Sequence, residues 1–179
     1  LFPQPIFLPL LKFMKIKKIN FKINDLKIEL VKPQIEHATD LYQAIKHDQK
    51  SLGKWLPWAY DINSMQTEAN FIKQIQKKEE IIALTILVNE KASGMIDLHH
   101  ITPNKKGEIG YWLSSSYQGH GIVTQSVLAV CEYAFNELNL QYVDLKINAQ
   151  NDKSIAIAKR TEFKLMGNID NILFFRKIK

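Results

Sequence analysis

The feature that most constrains this chain is a continuous unit in its second half. Residues 108–113 (EIGYWL) have the apolar and aromatic make-up of a strand. Residues 141–149 (QYVDLKINA) alternate, with Val143, Leu145, Ile147 and Ala149 on one face. Between them a glycine-bearing turn, SSSYQGHG (114–121), opens a segment in which Val123, Val127, Val130, Ala134 and Leu138 recur at steps of three and four. That spacing predicts an amphipathic helix to about Leu138. Two strands joined through a helix predict a parallel, right-handed crossover.

The rest of the chain predicts mostly antiparallel partners for this unit. Residues 19–31 form two short strands about a turn at Asn24-Asp25, and a helix fits 34–48 with Ile35, Ala38, Leu41 and Ile45 on one face. An aromatic loop, 51–62, contains Trp55 and Trp58. Asn63 or Ser64 then caps a helix with the stripe Phe71, Ile72 and Ile75. Residues 81–88 and 92–101 form a hairpin about Asn89-Glu90-Lys91, and Lys105-Lys106-Gly107 turns into strand 108–113. Asn151 or Asp152 caps a helix to about Thr161, and FKLMG and NILFFRKI close the chain as strands. The expected class is α+β.

With no repeat and no low-complexity linker, residues 14–179 read as one domain. Residues 1–13 (LFPQPIFLPLLKF) lack the basic beginning and small-residue cleavage site of a signal peptide, and three prolines interrupt them. They read as an extension outside the domain, a mis-set start or an artificial remnant, with a membrane-touching segment as the alternative. No stretch approaches the apolar length of a membrane span. The single cysteine, Cys131, rules out an internal disulfide and fits a cytoplasmic location; its place in an apolar helix makes it a core filler. The net charge is +6, but residues 1–20 hold Lys12, Lys15, Lys17 and Lys18 and no acid. The remainder carries 20 basic and 18 acidic residues, or +2, which argues against a nucleic-acid surface.

Gln118-Gly119-His120-Gly121-Ile122-Val123-Thr124 is the candidate binding element. Free amides at a helix start, aided by the macrodipole, attract anions, and glycines let a phosphate approach the backbone. The stretch lacks the Gly-Lys-Ser/Thr ending of a nucleotide P-loop, and it is not the GxGxxG turn. Taken alone, it is either a phosphate site or a plain turn.

Five co-linear segments carry a resemblance. EIGYWL followed by Tyr117-Gln-Gly-His-Gly-Ile resembles the pyrophosphate loop of the GNAT acetyltransferase superfamily. Trp55-Leu-Pro-Trp58, Gly94-Met-Ile-Asp-Leu-His99, Asn151-x-x-Ser154 and Phe163-Lys-Leu-Met-Gly167 resemble its branch of RimJ/RimL-type ribosomal-protein N-terminal acetyltransferases. The resemblance runs from about residue 25 to the end. It implies a largely antiparallel central sheet with a splayed strand pair and helices on both faces. It also implies acetyl-CoA as co-substrate and no metal. The implied acceptor is an amine, on a protein N-terminus or on a small molecule such as a polyamine or aminoglycoside. A homodimer is compatible with it.

The resemblance further implies roles. Backbone groups of Trp112 and Leu113 would pair with the pantetheine arm at the splay. Amides of Gln118, Gly119, His120, Gly121, Ile122, Val123 and Thr124 would hold the pyrophosphate, and Asn151 would contact the cofactor near the thioester. Ser154 would protonate the leaving thiolate. Trp55, Trp58 and His99 would lie on the acceptor side. Bland readings stand beside these: core aromatics over a loop, a structural histidine, a cap-region serine. His100 and the Lys105-Lys106 pair read as solvated.

Three departures from the family pattern stand out. Val123 replaces a small residue, Glu162 replaces the glycine before Phe163, and Met166 replaces a common Glu. Only residues 168–171 separate Gly167 from the last strand, so the longer loop that closes the acceptor site in relatives is missing. The expected chemistry is direct attack of a neutral amine on the thioester, with an N–H at Leu113 stabilising the oxyanion. Glu108, Asp97 and His99 are the candidate bases, and a non-catalytic CoA sensor is the rival reading.

Overall fold

In the computed structural model, which describes residues 18–179, the chain begins with a hairpin, β1 (Ile19–Ile23) and β2 (Leu26–Val31). Two helices follow, α1 (Ala38–Gly53) and α2 (Met65–Ile75), and then strands β3 (Ile82–Val88), β4 (Lys91–Thr102) and β5 (Lys106–Leu113). Helix α3 (Ile122–Asn136), strand β6 (Tyr142–Asn148) and helix α4 (Asp152–Arg160) lead to a closing hairpin, β7 (Lys164–Ile169) and β8 (Ile172–Ile178). Residues 1–13, expected to lie outside the domain, fall outside the described residues. Among the described residues no helix is long and apolar enough to cross a membrane.

The eight strands form one sheet in the order β1-β2-β3-β4-β5-β6-β8-β7. Every neighbouring pair is antiparallel except β5 and β6, which the α3 crossover makes parallel. This is the expected mixed, largely antiparallel α+β sheet. The parallel pairing is short: Lys106, Gly107 and Glu108 register with Tyr142, Val143 and Asp144, and then the strands part. At the closed end Gly107 permits a tight approach, since a Cβ there would come within 2.7 Å of Leu98 Cδ1. Beyond it, residues 109–113 face a gap.

Alternation along β5 divides its side chains between two cores. Ile109 and Leu113 join the α3 side with Ile122, Val127, Val130 and Leu145, whereas Trp112 joins Leu41, Ile45, Ile72 and Met95 beneath α1 and α2. Each fully buried Ile or Leu contributes about 1.5–3 kcal/mol, so both faces hold the gap-bearing strand firmly. Cys131 is part of the first core, and burial pushes its thiol up to about 12, which keeps it inert at neutral pH.

Several local expectations change. A 3₁₀ turn, Ile35–His37, precedes α1, and its three-residue period rotates Ile35 away from the buried stripe to 39% exposure. Helix α1 then runs on through Ser51, Leu52 and Gly53, residues read as loop; Gly53 lies under the Tyr60 ring, which a Cβ would meet at 2.2 Å. Ser64 is the cap of α2, accepting from the Thr67 amide at 3.1 Å. Its buried face is Glu68, Ala69 and Ile72, while Phe71 is exposed; a buried acid in that face hid the true stripe. Helix α3 ends at Asn136, Ile122 rather than Val123 is its fully buried first residue, and β5 starts two residues early, at Lys106. The loop before the last strand shrinks to a two-residue hairpin turn, Asp170-Asn171, with φ of 50° and 64°.

Candidate active site

The glycine turn lies where β5 hands the chain to α3. Gly119 and Gly121 have φ of 83° and 81°, a left-handed conformation that side chains rarely adopt, and a Cβ at either would meet nothing within 4 Å. Their absence of side chain therefore serves conformation and open space, not packing. Gly121 is the N-cap of α3 and brings no side chain to satisfy the first helical amides. Those amides and the positive end of a 15-residue helix face outward from an exposed loop, the arrangement that accommodates an anion. Lys153, in the first turn of α4, donates to Gln118 Oε1 at 2.9 Å and so places a cation beside this loop. The buried Asp48 carboxylate of α1 fixes the loop's start, accepting from the Ser115 amide at 2.7 Å and its hydroxyl at 2.5 Å. Neither contact has a local sequence signal.

Backbone direction at the gap corrects one expectation. The Ser114 amide donates to Ser93 O across the β4 edge at 2.8 Å. Alternation then turns the backbone groups of Trp112 toward β4 as well, and those of Tyr111 and Leu113 toward the gap. An arm lying in the gap meets Leu113 and Tyr111, not Trp112. The Leu113 carbonyl already accepts from Gln118 Nε2 at 2.9 Å, which leaves its N–H facing the gap.

Asn151 and Ser154 sit on the far side of the gap, where β6 runs into α4. Asn151 caps α4, its Oδ1 accepting from the Ser154 amide at 3.2 Å, so the serine hydroxyl is not the cap. That hydroxyl lies against Tyr111. Burial raises the Tyr111 pKa and Ser154 partly offsets this, yet the two hydroxyls do not meet in hydrogen-bond geometry. The phenol oxygen is fully buried without a partner, the one such side-chain atom among the described residues. Tyr111 was not among the sequence candidates; the aromatic in EIGYWL reads as core packing.

The remaining candidates gather on the α1–α2 face of the sheet. His99 pairs with Glu108 across the β4–β5 ladder. His99 Nδ1 bonds Asp97 Oδ1, its Nε2 is 3.4 Å from Glu108 Oε1, and Lys146 Nζ is 2.8 Å from Glu108 Oε2. The hydrogen bond to Asp97, then that to Glu108, raises His99 to about 9 against the effect of burial. Burial works to raise Glu108, but His99 and Lys146 outweigh it and hold the carboxyl at about 2. At neutral pH His99 is thus an imidazolium and Glu108 a weakly basic carboxylate. Neither is poised as the base the sequence suggested.

A bulge after His99 leaves His100 at φ 47° and turns its ring against that of His99, 4.7 Å between centroids. His100, read as solvated, is indeed largely exposed, with Nδ1 3.5 Å from Glu108 Oε2. The donor atoms of His99, His100 and Glu108 lie within 4.8 Å of one another, a spacing that could hold a metal ion. The charges of Asp97 and Glu108 are already compensated by His99 and Lys146, so the cluster is balanced as it stands.

Further along the same face, Trp58 meets Trp112 edge-on at 6.2 Å and stays 38% exposed, while Trp55 lies under the Lys54 ammonium. Gly110 leaves room between Trp112 and the cluster; a Cβ there would reach Asp97 Oδ2 at 3.2 Å and His99 Cε1 at 3.4 Å. The structure therefore groups Trp58, Asp97, His99 and Glu108 on one face of the sheet, and places Tyr111 on the opposite face, where Ser154 approaches it from the far wall of the gap.

Comparison with known proteins assigns the family. The acetyltransferase (GNAT) domain family matches residues 27–164. The Bacillus subtilis (strain 168) protein YdaF, which bears the name of a ribosomal N-acetyltransferase, is 33% identical over 159 residues, 86% of each chain. The ribosomal-protein-serine acetyltransferase of Escherichia coli (strain K12) is 28% identical, covering 73% of this chain and 75% of its own. Among solved structures, the microcin C7 self-immunity acetyltransferase MccE, in complex with acetyl-CoA and AMP, superposes with a TM-score of 0.78 at 28% identity, covering 89% of this chain and 96% of its own. The chain belongs to the GNAT family of acetyl-CoA-dependent N-acetyltransferases.

Proposed function

We propose that this enzyme acetylates the α-amine of a protein N-terminus, with ribosomal-protein termini as the first candidates and the cytoplasm as its place of action. The observation that carries this reading is that neither His99 nor Glu108, the paired candidate bases on β4 and β5, is poised near neutral pH. An α-amine, with pKa about 7.7–8.0, is roughly one-quarter to two-fifths neutral at pH 7.5, whereas a lysine at about 10.4 is ~0.1% neutral. A site with a weak base selects the former. The two-residue β7–β8 turn supports the same reading, since no loop from that hairpin can fold over the acceptor. The names of the two bacterial relatives point the same way.

In this reading the amides of residues 119–124 and Lys153 hold the pyrophosphate, and the thioester lies in the gap with its carbonyl oxygen toward the Leu113 N–H. The amine enters from the Trp58 face, and Ser154 gives its proton to the departing sulfur. Positioning alone can supply up to about 7–11 kcal/mol of the barrier reduction, so a missing strong base is tolerable. A polyamine or aminoglycoside acceptor would call on Asp97 and Glu108 as anchors, but each already has a cationic partner. Thiol release from acetyl-CoA, followed with N-terminal peptides, spermidine and an aminoglycoside, tests the proposal. Peptide turnover is expected; turnover with the polycations alone would replace the acceptor, and CoA binding without any turnover would make the protein a sensor.

A further inference from the structure

Tyr111 is an anomaly by the usual rules of protein interiors. Buried polar atoms are almost always hydrogen-bonded, and leaving one without a partner is destabilising. Its same-face neighbours along β5, Ile109 and Leu113, are apolar core residues. A phenylalanine would fill the same space without the penalty. The hydroxyl therefore needs an explanation outside the packing.

Its place in the fold supplies one. Residue 111 lies three positions past Glu108, the last β5 residue paired with β6, and thus at the level where the gap is open. Ser154 comes from the other strand of the gap, through β6 and the cap Asn151. The side chains from the two walls meet below the opening. A serine hydroxyl has one proton and two lone pairs. To hand its proton to a sulfur it must point its O–H at the gap, and free rotation about its C–O bond works against that.

We propose that Tyr111 is a positioning residue, its phenol O–H donating to Ser154 Oγ when the thioester is bound and thereby aiming the serine proton at the leaving sulfur. The inference rests on the Ser154 reading above. In the transfer the amine nitrogen bonds the acyl carbon, and the C–S bond breaks with its electron pair on sulfur. Sulfur takes the Ser154 proton, and the serine oxygen regains a proton from the one the amine nitrogen sheds. Tyr111 keeps its own proton throughout.

The test is a double-mutant cycle of Tyr111→Phe and Ser154→Ala, reading turnover, acetyl-CoA affinity and melting temperature for all four proteins. Tyr111→Phe should lower kcat about tenfold, the size of one hydrogen bond, with unchanged affinity and an unchanged or raised melting temperature. In the Ser154→Ala background the same change should have no further effect on kcat. An undiminished kcat in Tyr111→Phe, or a lowered melting temperature, would overturn the proposal. An equal loss in both backgrounds would also overturn it, by making Tyr111 independent of the serine. Full turnover in Ser154→Ala would instead remove the serine from the mechanism, and the positioning role with it.

Discussion

Gly121→Asp probes the anion site most directly, because the structure separates its effect on folding from its effect on binding. The position has φ 81° and open space around a Cβ, so no clash follows. A left-handed side chain costs about 1–2 kcal/mol in general, and aspartate is among the residues that tolerate the region best. A carboxylate at a helix N-terminus returns about 0.3–1 kcal/mol through the macrodipole. The net change in stability should stay within about 1 kcal/mol, or 2–4 °C for a domain of this size. Binding is a different matter. A carboxylate about 4 Å from a phosphate charge is repelled by about 4 kcal/mol at an effective dielectric of 20. Even halved by solvent, that is roughly a thirtyfold loss of affinity. Calorimetric titration with CoA and thermal melting should be run on Gly121→Asp and on Gly121→Asn, which has nearly the same shape without the charge. The reasoning predicts a folded aspartate variant with at least thirtyfold weaker binding and an asparagine variant within about fivefold of wild type. A folded aspartate variant that binds CoA within threefold of wild type would place the phosphates elsewhere.

Glu68 offers a pH test. Burial raises its carboxyl from 4.5 to about 7, so the folded state holds a proton that the unfolded chain releases. Stability should fall as pH rises from about 4.5 to 7 and then level off, and Glu68→Gln should flatten that slope and be more stable at pH 8 by up to roughly 3 kcal/mol; parallel denaturation curves across pH would contradict this. Glu162 holds φ 63° just past α4, the position where the family's glycine would be strain-free. Glu162→Gly should raise the melting temperature by about 2 °C, and a fall of that size would show that its 3.4 Å contact with Lys177 outweighs the strain. Lys153→Met should weaken acetyl-CoA binding roughly fivefold with kcat nearly unchanged, about 1 kcal/mol for a partly exposed cation at a phosphate; unchanged affinity would free Lys153 from the site. A chain beginning at Met14 should keep its melting temperature and CoA affinity, because residues 1–13 lack a pattern that could dock on the domain. A marked loss would assign them a place on it.

The sequence by itself determined the class and the turn that opens α3, because both rest on local signals. Helical spacing from Val123 to Leu138 between two strand patterns demands a crossover wherever the chain folds, and glycines at 119 and 121 mark a turn before a helix. The missing final loop was equally plain, since four residues between Gly167 and the last strand leave room only for a tight turn. Tertiary structure decided what the reactive groups can do. His99 looks like a base in the sequence; Asp97 on its own strand and Glu108 on the next one make it an imidazolium. Trp112 and Leu113 both looked like residues facing the gap, but one hydrogen bond from Ser114 to Ser93 sets the alternation, which keeps Leu113 there and puts Tyr111 in place of Trp112. The approach of Ser154 to Tyr111 and the anchoring of Ser115 by Asp48 span 43 and 67 positions. Periodicity reports on which face a residue occupies, but charge state, backbone direction and a missing hydrogen-bond partner depend on neighbours that only the folded sheet brings near.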